Sequence, residues 1–253
     1  MLRSRIIPVL LVQDKGLVKT VKFKEGKYVG DPLNAVRIFN EKEADELTVF
    51  DIDATVKGKE PDYKMIENLA AECRMPLCYG GGITSLEQAL RILSLGVEKI
   101  ALSSAAVENP QLISEIAAQV GRQSVVVVAD VKKKLFGGYK VFTHNGNRAI
   151  NVDLFDFVKQ AEELGAGEIV VNNIDLDGTM KGYDENLVKQ LKEIVSVPLT
   201  ICGGASNLDD ISHLVHQYSP IGLAAGSLFV FKGKYKAVLI NYPNSAEKIR
   251  LFD

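Results

Sequence analysis

This 253-residue chain predicts an α/β fold, a (β/α)8 TIM barrel built from two duplicated half-barrels, on three observations. Short β-branched apolar runs recur along the chain, each ending in small or acidic residues. Segments of helical period separate them, and strand alternating with helix implies parallel strands joined by crossover helices. The blocks then repeat once at nearly constant spacing, which marks a duplicated half-domain. The expected strands lie near 5–11, 46–52, 76–80, 98–102, 125–130, 168–173, 198–202 and 221–225. Between them, "SLEQALRILSLG" and "NPQLISEIAAQVG" space apolar residues three and four apart and end in Gly, a common helix stop. Eight βα units in this length suit one barrel domain over 1–253, with half-barrels of about 1–121 and 122–253. An open doubly wound sheet is the alternative, and it offers no reason for two equal halves.

The repeat can be read block by block. "IIPVLLV" (6–12) aligns with "VVVVADV" (125–131), so Leu11 stands opposite Asp130. "FDIDAT" (50–55) aligns with "IDLDGT" (174–179), pairing Asp51 with Asp175 and Asp53 with Asp177. "PLCYGGGIT" (76–84) aligns with "PLTICGGAS" (198–206), and Ser104 falls opposite Ser227.

Composition narrows the functional classes. The chain is 47% hydrophobic and 25% charged with net charge −2, as expected of a soluble globular protein with no general pull toward nucleic acid. No apolar stretch approaches the ~18 residues of a membrane span, so no membrane association is expected. The N-terminal "MLRSRIIPVLL" runs into the first strand without a cleavage-site pattern. Cys73, Cys78 and Cys202 are odd in number and form no CxxC, which fits free thiols in a reducing cytoplasm.

Two glycine-rich blocks suggest anion sites. Gly80, Gly81 and Gly82 end the third strand and Gly203 and Gly204 the seventh; Ser103 with Ser104, and Gly226 with Ser227, end the fourth and eighth. Glycine lets a phosphate approach backbone N–H groups at a helix start. Two such cups on one mouth suit a ligand with a phosphate at each end; the alternative is tight βα turns alone. Asp51, Asp53, Asp130, Asp175 and Asp177 fall at or past strand ends, where barrels do chemistry. Each offers an acid/base group or a helix cap; Asp130, after "VVVVA", is the better acid/base candidate. Lys19 lies in a long Lys- and Gly-rich first loop, about 13–30, either meeting a phosphate or simply solvated.

Arg5, Glu46, Lys99 and Glu168 open the first, second, fourth and sixth strands at the opposite end. The alternation Arg5, Ile7, Val9, Leu11 places one set on one face, so Arg5 points into the barrel if Leu11 does. The four charges form either a closed ring at the floor or ordinary rim charges. His213 and His216 stand three apart on one helix, but no third ligand is evident, and no metal or cofactor is expected. His144 in "FTHNGN" lies near the mouth.

With these residues assembled, the chain resembles the cyclase subunit of imidazole glycerol phosphate synthase, the HisF family, over essentially its whole length. The stretches that carry the resemblance include "RIIP", "GDP", "GGGI", "AAVENP", "GAGEI", "IDLDGT", "GYD" and "CGGA". The resemblance implies a barrel that takes ammonia from a glutaminase subunit, HisH-like, docked at its N-terminal face. It assigns Arg5, Glu46, Lys99 and Glu168 to the ammonia gate. It places a phosphorylated small-molecule ligand on Gly81, Gly82, Ser103 and Ser104 and on Gly203, Gly204, Gly226 and Ser227. It makes Lys19, Asp130 and Asp177 the catalytic set, Asp177 as accessory acid.

One departure is large. The family's cyclase uses two aspartates, at the ends of the first and fifth strands; here the second is Asp130 and the first is Leu11. Losing a general acid or base costs ~10²–10⁴ in rate. Asp14, three residues on, is not expected to substitute. Asn172 and Asn145 also stand where the family has hydroxyl residues, and Ser103 where it has asparagine. The stretches "GLVKTVKFKEGKYVGDP" and "GSLFVFKGKYKAVLINYP" resemble a second-copy branch of the family associated with surface-polysaccharide genes. That resemblance implies a sugar amidotransferase as a further partner, with ammonia used to build an acetamidino group.

Overall fold

The computed structural model describes residues 3–252; the first two residues of the N-terminal segment read for a targeting signal lie outside them. The chain opens with β1 (Arg5–Gln13), a hairpin of β2 (Gly16–Val21) and β3 (Lys24–Gly30), and α1 (Pro32–Glu41). β4 (Leu47–Asp51), α2 (Tyr63–Glu72), β5 (Leu77–Gly80), α3 (Leu86–Ser94) and β6 (Lys99–Leu102) follow. Next come α4 (Ser104–Glu108), α5 (Gln111–Val120), β7 (Val125–Lys133), β8 (Tyr139–Thr143), β9 (Arg148–Asp153) and α6 (Leu154–Glu163). The last third holds β10 (Glu168–Asn173), α7 (Glu185–Lys192), β11 (Leu199–Cys202), α8 (Leu208–Tyr218) and β12 (Gly222–Ala225). It ends with α9 (Ser227–Val230), the short pair β13 (Phe231–Lys232) and β14 (Ala237–Val238), and α10 (Ser245–Phe252).

Eight of these strands pair in parallel in the order β1, β4, β5, β6, β7, β10, β11, β12, and β12 closes on β1. The result is a closed (β/α)8 barrel. Alternation along β1 decides which side chains go where. Ile6, Leu10 and Val12 join the main core beneath the helices, while Ile7, Val9 and Leu11 line the inside. The helices start where local chemistry starts them. Asp31 caps α1 by accepting from the Asn34 N–H at 2.9 Å, with Pro32 at its first position. Ser85 caps α3, Asp184 caps α7 and Asn207 caps α8 in the same way. Among the described residues no helix is long and apolar enough to cross a membrane.

Two differences from the sequence reading matter for the site. The segment expected as a loop over 13–30 is the β2–β3 hairpin, an antiparallel extension of β1 in which Leu11 faces Val18. Asp14 and Lys15 adopt positive φ (45° and 68°) in the tight turn from β1 into β2, and Lys22 and Phe23 (54° and 61°) in the turn from β2 into β3. β7 likewise runs three residues past Asp130 and turns back into β8, with Asp130 opposite Phe142. The apolar positions that lock these hairpins, Leu17, Val18, Tyr139 and Val141, are all buried.

Candidate functional site

A cavity of about 130 Å³ runs inside the barrel, from Glu46, Glu168 and Thr200 at the floor to Lys19, Asp130 and Asp177 at the mouth. Its floor is a closed set of ion pairs. Arg5 Nη1 bonds Glu46, and Arg5 Nη2 donates to Glu168 Oε1 at 2.8 Å. Lys99 Nζ donates to Glu46 Oε1 at 2.8 Å and to Glu168 Oε2 at 2.9 Å. Two cations therefore alternate with two carboxylates. Both carboxylates are only 4% exposed, so neither charge is tolerable without its partners. Burial by itself would lower the pKa of Arg5 and Lys99, and the two glutamates reverse this and hold both raised. Burial would raise Glu168, and Arg5 and Lys99 hold it lowered instead. Thr200 adds a member that the sequence did not mark: its Oγ1 donates to Glu168 Oε1 at 2.6 Å.

Above the ring the wall is uncharged. Ile7, Val9, Cys202 and Ala224 form one inner cluster, and Cys78, Ala101, Val126 and Val128 another. Leu11 and Phe50 extend the apolar wall to the mouth.

Asp130 lies among these apolar neighbours at the mouth. Burial pushes its carboxyl up to about 7, against hydrogen bonds from Asn172 Nδ2 at 3.1 Å and Ser103 Oγ at 3.2 Å that pull the other way. A carboxyl near 7 can take or give a proton at neutral pH. Asn172 follows from register, because β10 pairs with β7 so that Asn172 sits beside Asp130. Ser103, read as part of a phosphate cup, thus spends its hydroxyl on Asp130, and Ser104 Oγ accepts from the His144 N–H at 3.0 Å.

Lys19 is not a solvated loop residue. The hairpin folds it inward until it is 5% exposed, and its Nζ donates to the Val9 carbonyl. Burial lowers it to about 8, although Asp177 attracts its charge. The ammonium lies against Gly226, where a side chain would collide with it. Burial also raises Asp177, despite Lys19 and a hydrogen bond from Thr20 Oγ1 at 3.2 Å.

The other candidates separate clearly. Gly81, Gly82, Gly203 and Gly204 all hold positive φ (124°, 73°, 90° and 114°), and all four line tight approaches that a Cβ would fill. Ser227 is buried at the start of α9, directly after Gly226. Asp51 accepts the Asp53 and Ala54 N–H groups, both at 3.0 Å, and so serves a turn. Asp53 is bound by Lys57 and by Gln13 at 3.1 Å. Asp175 accepts the Lys133 N–H at 3.0 Å. Asp14 pairs outward with Lys57 at 2.9 Å and does not line the cavity. His213 bonds Glu185 at 3.2 Å and His216 bonds the Ser212 carbonyl at 2.7 Å, each on the exposed side of α8. Among the described residues no three metal-ligating side chains gather.

Asp130 carries a pH signature. Its folded value of about 7 lies above the ~3.9 of an unfolded aspartate, so the folded chain holds the extra proton between them. Its stability contribution is full below about pH 4 and is lost as pH rises through about 7. Urea unfolding should show wild type losing roughly 2–3 kcal/mol more than Asp130→Asn between about pH 5 and 7.5. Equal slopes for the two proteins would rule out the buried neutral carboxyl.

Comparison with known proteins gives a consistent set of relatives. Residues 5–236 match the family described as histidine biosynthesis protein. A Vibrio vulnificus protein provisionally named imidazole glycerol phosphate synthase subunit hisF3 is 67% identical over 249 residues, covering 98% of this chain and 96% of the relative. A Pseudomonas aeruginosa protein provisionally named subunit hisF2 is 52% identical, covering 96% of this chain and 97% of the relative. Imidazole glycerol phosphate synthase subunit HisF of Exiguobacterium sibiricum is 40% identical, covering 89% and 90%.

Proposed function

The chain belongs to the histidine biosynthesis protein family as a HisF-like synthase subunit, and on that premise we propose that it is an ammonia conduit diverged from cyclisation. A glutaminase docked on the floor releases ammonia beneath the ring of Arg5, Glu46, Lys99 and Glu168. When that ring parts, neutral ammonia passes the uncharged inner wall, which offers no stabilisation to ammonium. One observation carries the reading: the four-charge floor is complete, while Leu11 leaves Asp130 without a second carboxyl on the strand 1 side. Leucine cannot exchange a proton, so the two-carboxyl cyclisation of the family lacks half its machinery. Two of the relatives carry numbered names, hisF3 at 67% identity and hisF2 at 52%, which agrees with a second-copy role. The acceptor is then a sugar handled by an amidotransferase in surface-polysaccharide biosynthesis, with the glycine cups and Lys19 holding a phosphorylated ligand.

The test pairs the purified chain with its glutaminase. A stable complex is expected, with glutamine hydrolysis feeding an amidotransferase and no cyclase turnover of the histidine-pathway ribonucleotide. Cyclase turnover at the level of the family would return the chain to histidine biosynthesis. Ligand binding without any glutaminase complex would make it a scaffold.

A further inference from the structure

The barrel mouth carries a surface that the conduit reading does not use. Three segments project from this end: 16–30, 131–153 and 231–238. Together they hold twelve of the chain's 30 Lys and Arg, eleven of them besides the buried Lys19, but only two of its 32 Asp and Glu. The rest of the chain is therefore acidic, and the mouth is where its positive charge gathers.

The same segments expose apolar side chains. Of eleven large hydrophobics exposed among the described residues, seven lie in these segments. Phe136 is fully exposed, Leu135 is 98% exposed and Tyr235 is 90% exposed, so these side chains pack against nothing in the chain. Leu135 and Phe136 follow three lysines in "KKKLFGG", and Tyr235 stands between two in "KGKYK". The segments also touch one another. Lys27 lies 5.3 Å over the Phe231 ring, and the 144–147 turn meets Phe23, where a Cβ on Gly146 would come to 3.0 Å. Phe23 and Asn145 in turn line the cavity opening. Basic, apolar-tipped hairpins thus form one connected rim around the exit.

We propose that this rim is the docking surface for an acidic protein with an apolar patch, the enzyme that consumes the ammonia. The proposal rests on the conduit reading. Lysine-flanked aromatic tips need an occupant that offers negative charge and apolar area together, which a small anion cannot. An anionic membrane has both, but it uses no ammonia. Ammonia released into water takes up a proton and loses its nucleophilic lone pair, so the consumer must seal the exit.

A photo-crosslinking residue is placed at Phe136, at Tyr235 and, as a reference on the floor side, at exposed Glu98 in the full chain. The two rim positions are expected to capture one and the same acidic protein, distinct from the Glu98 adduct. That protein, purified, is titrated with the full chain at about 0.1 M and about 1 M salt, where the screening length falls from about 10 to about 3 Å. Affinity should drop roughly tenfold or more with salt, with Lys133→Glu/Lys134→Glu, and separately with Phe136→Ser. Vesicles of phosphatidylglycerol and phosphatidylcholine should bind no better than phosphatidylcholine alone.

Different proteins at the two rim positions, a non-acidic partner, or no rim adduct beside a Glu98 adduct overturns the proposal. Lysine-dependent binding to the anionic vesicles overturns it in favour of a membrane. Docking without ammonia transfer leaves this surface standing and removes the conduit; transfer with no rim partner does the reverse.

Discussion

Leu11→Asp is expected to create ammonia-driven cyclase turnover where wild type has almost none, a gain of about 10²–10⁴-fold. The expectation rests on where the side chain points. Leu11 follows Ile7 and Val9 along the inner face of β1 and lines the same cavity as Asp130. A carboxylate there enters an apolar mouth that already raises Asp130 to about 7. Burial and the nearby acid will raise the new carboxyl too, bringing both groups into the range where protons exchange at neutral pH. The assay is product formation from the histidine-pathway ribonucleotide with ammonium salts and no glutaminase, which bypasses the floor. Asp130→Asn in the Leu11→Asp background should abolish the gain, because the two carboxyls act as a pair. Equal turnover before and after Leu11→Asp would show that this position does not decide the chemistry.

The barrel was legible in the sequence because each strand announces itself. β7 is four valines and an alanine before Asp130, and the observed strand begins at Val125 as expected. The floor ring was legible as two alternatives, since spacing places Arg5 and Glu168 at strand starts but not in contact. The fate of Lys19 was hidden for a physical reason. "GLVKTV" reads as basic and loop-like, yet Leu17 and Val18 pin the hairpin and carry the lysine inward to a carbonyl ten residues earlier. No local signal reports an acceptor supplied by another strand. Thr200 was missed likewise, because nothing near it in sequence names Glu168.

The internal repeat shows the same limit from the other side. Asp53 and Asp177 occupy matching places in "FDIDAT" and "IDLDGT". Burial acts on both, but Lys57 and Gln13 bond Asp53 and hold it lowered, whereas Asp177 stays raised beside the buried Lys19. The two carboxylates hold matching places in the sequence, and their neighbours make them different acids.

Glu168→Gln is expected to lower stability by about 3–5 kcal/mol and to uncouple glutamine from ammonia delivery. Glu168 accepts from Arg5, Lys99 and Thr200 at once, so neutralising it leaves two cations facing Glu46 alone. A buried charge stripped of its partner costs far more than the pair contributed. For a chain of this size the melting temperature should fall by ~2–4 °C per kcal/mol. The pH profile separates this from a general packing defect. The folded pKa of Glu168 is lowered, so its contribution is present above the ordinary ~4.3 and lost as pH falls through the lowered value. Glu168→Gln should therefore flatten the acid limb of the unfolding profile as well as lowering the plateau. The gate role has its own readout. Arg5→Ala removes one cation and leaves Lys99 bridging both glutamates, so the ring opens with less loss of fold. In that variant glutamine-driven transfer should fall while transfer from added ammonium persists, because bulk ammonia reaches the mouth without the floor. Equal transfer from glutamine in Arg5→Ala and wild type would leave the ring a structural clasp and nothing more.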